Sequence, residues 1–265
     1  MSPELGNTAP VSWPRRAGAA ALIVLCWLPV AYLALLSLAR DWAFPALLPT
    51  ALTLATWQRA LAGNDGLITS FATSVGIALL VATLATTAAG VASRIFAYHR
   101  HRGWWVLAMH APFALSPVIL GTCLLYFFIR LGLVGSAAGV IAAQFIFGYA
   151  YAVIVLVGFW NPHVAALEDL ARTLGAGKRE VLRRVVFPLA RPLLAVAFFQ
   201  TFLLSWFDYG LAAVIGAGKV PVLTLRVTEY MGSGNVHLAA VCALLLVVPP
   251  LAFLLLNRRL AITAA

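Results

Sequence analysis

Charge is scarce in this sequence. Asp, Glu, Lys and Arg make up 10% of its 265 residues, against 63% that are hydrophobic. Soluble domains carry about 25% charged residues. So little polar surface excludes a water-soluble globule. Cysteine is scarce too. Cys26, Cys123 and Cys242 lie inside apolar runs and form no CxxC. They imply neither a disulfide framework nor a metal site and read as small packing residues. The signatures HExxH and GxSxG are absent, and no acid, base and nucleophile converge by spacing. That leaves nothing to support a membrane-embedded enzyme. The strict alternation of barrel strands is also missing.

What the sequence has is long apolar runs, rich in Ala and Leu. Six are legible, at 17–39, 67–93, 104–129, 137–160, 193–217 and 238–256. Each is long enough to cross about 30 Å of hydrocarbon at 1.5 Å per residue. The expected fold class is an all-α membrane protein with six transmembrane helices. The first run exceeds the 7–15 residues usual for the apolar part of a signal peptide, so it reads as an uncleaved helix.

The net charge of +10 follows the membrane topology. With the N-terminus inside, thirteen Lys and Arg fall in inner segments and five in outer ones. This bias places segments 1–16 and 257–265 in the cytoplasm. It explains the basic excess without a nucleic-acid partner.

Three polar features interrupt the apolar runs. "HAPFALSP" in the third run contains Pro112 and Pro117. Each removes a backbone donor and should kink or break the helix. Irregular backbone at membrane depth is tolerated where protein or a cavity satisfies it. The segment therefore reads either as a pathway lining or as a simple kink. Asp208 is the one carboxylate deep in a run. Such acids usually face the protein interior or a cavity. It reads either as a pathway residue near the outer gate or as a structural partner. The structural partner would be a cation such as Arg130, or backbone at a helix break.

The third interruption is the segment 161–192, too polar to span and too patterned for a plain linker. Asn161 before Pro162 is a helix start. Val164, Leu167, Ala171 and Leu174 repeat along one face. Glu168 and Arg172 form an i,i+4 pair, as do Glu180 and Arg184. Gly175 follows the last periodic residue as a helix stop. A second short helix is expected at 178–187, ended by Pro188, with Pro192 opening the next span.

"GAGK" occurs twice, at Gly175–Lys178 and Gly216–Lys219. A P-loop needs G-x-x-x-x-G-K-[ST]. The first-glycine positions hold Arg172 and Ala213, and the hydroxyl positions hold Arg179 and Val220. Neither copy cradles a phosphate.

"EDLARTLGAGKREVLRRVVFPLARP" resembles the EAA motif of permease subunits in type I ATP-binding-cassette importers. Asp169, Leu170 and Ala171 occupy the Glu-Ala-Ala places, and Gly175, Ala176, Pro188 and Pro192 match. Asp replaces Glu and Leu replaces the first Ala, with Glu168 one residue earlier. The stretch "SWFDYGLAAVIGAGKVPVLTLRVTEY" is similar to polyamine-type permeases, and iron, thiamine and phosphonate importers share it. The likeness covers 67–256.

The resemblance implies a subunit of a bacterial inner-membrane importer that is not itself an enzyme. It has no cofactor of its own; ATP and Mg belong to two partner ATPase subunits. A second permease, identical or homologous, pairs with it in the bilayer. An extracytoplasmic binding protein delivers a small solute. The helix before Gly175 is then the coupling helix, and Glu168, Asp169, Ala171, Leu174, Gly175, Ala176, Pro188 and Pro192 make up the ATPase-coupling set. The alternative is an ion-coupled secondary transporter. That reading needs charged or unwound midplane sites and often an internal repeat. Asp208 is the one such residue, and no repeat is evident.

Overall fold

The computed structural model describes residues 13–40, 42, 49, 51–63 and 66–263. Most of the N-terminal segment 1–16 and the last two residues of 257–265 lie outside them. The described chain is helical except for a two-residue antiparallel ribbon, β1 (Ala39–Arg40) with β2 (Ala51–Leu52). The helices are α1 (Trp13–Leu38), α2 (Ala55–Leu61), α3 (Leu67–Ala97), α4 (Arg102–His110), α5 (Pro117–Arg130) and α6 (Ala137–Val157). They continue as α7 (Pro162–Thr173), α8 (Lys178–Val181), α9 (Phe187–Trp206), α10 (Gly210–Gly216), α11 (Leu223–Gly232) and α12 (Val236–Thr263).

The spine is α3, which packs on α6 and α9. Its inward face is small: Ala78, Ala82, Ala85 and Ala89 are fully buried. Apolar lipid gives two apolar helices no hydrophobic reason to associate. Small residues let their backbones approach and gain van der Waals contact instead. Gly148 of α6 shows how tight that approach is. A Cβ there would lie 2.7 Å from Thr201 Cγ2 of α9 and within 3.6 Å of Val81 and Ala85 of α3.

Two of the six expected runs are divided. The third is α4, a 3-10 turn at Ala111–Ala114, and α5, with the two halves bent by 100°. Pro112 sits in the 3-10 turn and Pro117 opens α5, so both prolines act as breaks. Ser116 caps α5 by accepting from the Ile119 amide at 3.4 Å. The fifth run, expected as one helix over 193–217, ends instead at Trp206 and resumes as α10 at Gly210. Among the described residues, four helices are long and apolar enough to cross a membrane, or five if the bent pair is one span.

Pro188 does not stop the helix before it, contrary to the sequence expectation. Helical structure runs from Lys178 to Trp206, and Pro192 lies inside α9 rather than at its start. A wider turn at Leu182–Val186 precedes Pro188, with the Phe187 amide donating to the Leu182 carbonyl five residues back. This i→i+5 bulge carries the chain past a residue that has no amide to donate.

The prolines of α12 are handled differently. Pro250 deprives the Leu246 carbonyl of its helical donor. The Trp206 indole of α9 supplies one at 2.9 Å, so the defect becomes a bond between helices.

Gly148→Ala should cost about 1–3 kcal/mol through overpacking. It should show as a lowered melting temperature of the detergent-solubilised protein. Gly103→Ala, which adds a Cβ with no atom within 4 Å, should show no loss.

Candidate functional site

Two regions carry the polar chemistry, one at each end of α9. The first lies where the two interrupted runs meet. Gly210, at the start of α10, fits against the start of α5. A Cβ on it would be 2.7 Å from the Val118 amide nitrogen and 2.9 Å from Pro117 Cβ. The two breaks therefore support each other.

Asp208 holds the junction. Its carboxylate accepts from the Leu211 amide at 3.2 Å and the Ala212 amide at 3.0 Å, the first free donors of α10. Gln144 of α6 donates from Nε2 to the same carboxylate at 2.9 Å. Ser205 in turn donates to Gln144 Oε1 at 2.6 Å. The Asp208 carbonyl, left without a helical donor, accepts from Thr224 Oγ1 at 2.9 Å. An anion beside amides at a helix start is favoured by the backbone dipoles. Of the two readings of Asp208, the partner for backbone at a helix break is what the geometry displays. Arg130 is not its partner: its guanidinium lies 5.6 Å from the centre of the Tyr126 ring.

A cavity of about 540 Å³ opens beside this network. Pro117, Gln144, Gln200, Asp208 and Tyr209 line it, with Leu and Phe side chains between them. Pro117 and Asp208 thus share one cavity, while Pro112 is not in its lining. Sequence reasoning missed Gln144. The signal was present: it is a lone amide in an otherwise apolar run, and it is buried.

The second region is α7 and the turn after it. Asn161 caps α7 through its side-chain oxygen, which accepts from the Val164 amide at 3.1 Å. Gly175 follows the helix cap with φ +87°, in left-handed backbone that glycine tolerates best. Glu168 and Asp169, adjacent in sequence, differ sharply in exposure. Glu168 has 5% of its side chain exposed and receives Arg94 of α3 at 2.6 Å and Arg172 at 3.1 Å. Asp169 has 71% exposed and pairs with Arg172, at 3.0 Å.

Val164 is buried, and Ala171 and Ala176 pack beside it against α8 and the end of α3. Leu174 departs from the expected apolar face: it is 80% exposed, because it caps the helix as the chain turns away. Leu170 is exposed as well. Pro188 and Pro192, further along, are on the surface.

Residues 87–261 match the family model of the binding-protein-dependent transport system inner membrane component. The chain belongs to this family. The permease is 26% identical over 204 residues to the spermidine/putrescine transport system permease protein of Haemophilus influenzae, covering 76% of this chain and 79% of that one. It is 28% identical over 216 residues to the melibiose/raffinose/stachyose import permease protein of Bacillus subtilis, covering 78% and 76%. Its fold is that of a bacterial ABC transporter involved in importing the acidic polysaccharide alginate. That match has a TM-score of 0.69 over 95% of this chain and 99% of the other, at 17% identity. The permease is therefore a multi-pass, non-catalytic membrane component of an ABC importer whose ATPase resides in a separate subunit. Membership sets aside the ion-coupled alternative.

Asp208→Ala should strand the two α10 amides and the Gln144 amide. Each buried donor left unpaired costs about 1–3 kcal/mol. Thermal unfolding in detergent should show a clear loss for Asp208→Ala. Asp208→Asn, which keeps an acceptor oxygen, should lose less.

Proposed function

We propose that this permease forms, with a second permease subunit of the same or a homologous kind, the pathway of an ATP-driven importer. An extracytoplasmic binding protein delivers a small polar solute to it. The polyamine and oligosaccharide named for its relatives bracket the cargo class, and the phosphonate, iron and thiamine classes share the motif. The subunit sits in the bacterial inner membrane with both termini cytoplasmic, as its positive charge distribution supports. The α7 end then faces the cytoplasm, and the Asp208 junction lies toward the outside. The cavity beside Asp208 and Pro117 borders the pathway, with Pro112 as a break behind it.

Two ATPase subunits, holding ATP and Mg, bind the cytoplasmic face. The observation that carries this reading is the two-sided character of α7. One side is pinned by buried Glu168, while Asp169, Leu170 and Leu174 stand out from the other. Exposed leucines beside an acid, on a short rigid helix outside the apolar runs, suit a groove on a soluble partner. Closure of the ATPases moves α7 as a body, and Gly175 and Ala176 set the angle at which it leaves the next helix. The change between inward and outward access is then a rigid-body switch.

Leu174→Asp should abolish co-purification of the ATPase while membrane insertion persists. Gly175→Val, which forces a branched side chain into left-handed backbone, should abolish solute uptake by the reconstituted complex. Wild-type uptake and solute-stimulated ATPase in the Gly175→Val protein would remove the basis for the coupling assignment.

A further inference from the structure

Both glycines of the turn at 175–177 stand in open space. Gly175 has left-handed backbone, Gly177 follows two residues later, and neither has an atom within 4 Å of where a Cβ would stand. The Gly175 and Ala176 amides donate to the Arg172 and Ala171 carbonyls at 2.9 and 3.1 Å, which closes the end of α7 on itself. The Arg94–Glu168 ion pair, buried at its Glu168 end, adds a direct polar link to α3 beside the apolar packing of Val164 and Ala171. Among the described residues, Arg94–Glu168 is the one ion pair that joins α7 to another helix. Its two ends are both braced. Glu168 is buried and also held by Arg172. The Arg94 guanidinium lies 5.2 Å from the centre of the Trp160 ring, and the Trp160 indole donates to the neighbouring Ser93 hydroxyl at 3.0 Å. A guanidinium over an indole is itself attracted to the ring face.

Arg94 stands in the last turn of α3, the helix on which α6 and α9 pack. The far end of α3 is bonded as well. Ser74 accepts from the Leu223 amide at 2.7 Å, and Ser70 accepts from Arg226 at 3.1 Å. Movement at Arg94 is therefore passed along a single rigid helix of 31 residues to the α11 side of the Asp208 junction.

We propose that Arg94 is a positioning residue for transport, the point at which the stroke of the coupling helix enters the membrane domain through Glu168. This inference rests on the assignment of α7 as the coupling helix. Arg94 touches neither solute nor ATPase in this scheme; it fixes the lever to the spine.

The test uses the full complex in proteoliposomes with its binding protein, and reads solute taken up per ATP hydrolysed. Arg94→Gln and Glu168→Gln should each keep the ATPase bound and lower that ratio about tenfold, within the span of coupling between distant sites. Arg94→Lys, which keeps the charge but not the flat guanidinium, should fall less. The exchange Arg94→Glu with Glu168→Arg should recover most of the ratio. It keeps opposite charges facing each other across the two helices, and the carboxylate it places on α3 also lies toward Arg172.

A wild-type ratio in Arg94→Gln overturns the proposal. So does an exchange variant that melts like wild type yet couples no better than the single variants. If Arg94→Gln does not accumulate, the Arg94→Lys ratio decides, and a wild-type value there overturns it. Leu174→Asp separates the two levels. If that variant keeps the ATPase bound, the coupling-helix assignment itself fails; if it loses the ATPase while Arg94→Gln stays coupled, only the role of Arg94 fails.

Discussion

A backbone carbonyl or amide in lipid has no water to turn to, and this fold is organised around meeting that demand wherever a helix is interrupted. The fifth run breaks between Trp206 and Gly210, and the break is closed from three sides. Asp208 takes the α10 amides, Gln144 of α6 takes the remaining capacity of the carboxylate, and Thr224 takes the orphaned carbonyl. The break in the third run leans on the same place through Pro117 and Gly210. The cavity that brings Gln144, Gln200 and Asp208 among Leu and Phe side chains lies at this junction. An uninterrupted pair of apolar helices would have closed over it, and unsatisfied breaks would not have held.

The same demand explains how the prolines are distributed. Pro112 and Pro117 open the chain; the Ala111 amide meets the Ala108 carbonyl, and Ser116 meets the Ile119 amide at the start of α5. Pro188 and Pro250 do not open it, because a wider turn precedes one and an indole repairs the other. A proline in the sequence announces a missing donor. Whether the chain breaks there depends on what lies opposite, and a single sequence does not contain that.

That limit separates what was legible from what was not. The Asn161 start, the Gly175 stop and the Glu168–Arg172 and Glu180–Arg184 pairs were readable because each depends on neighbours within four residues. So was the membrane character, which depends on composition. The division of the fifth run was not readable: "FLLSWFDYGLAAVIG" is continuous in hydropathy apart from Asp208, and the stop depends on Gln144 and Thr224. Leu174 misled for a local reason. It continues the apolar period, but the period ends with the helix, and a residue at the cap points where the turn takes it.

Glu168 and Asp169 show why a motif is not a map of contacts. The family pattern places its acid at the position of Asp169, and the acid one residue earlier reads at first as a displaced copy. Helical geometry makes the two unequal, since adjacent residues stand about 100° apart around the axis. One position faces α3 and is buried; the other faces away and is exposed. An acid moved by one residue has therefore not moved slightly. It has changed from an exposed group into one that binds the helix to its own protein. This chain carries both, so the proposed coupling helix is fastened to α3 by one acid while the other stands exposed.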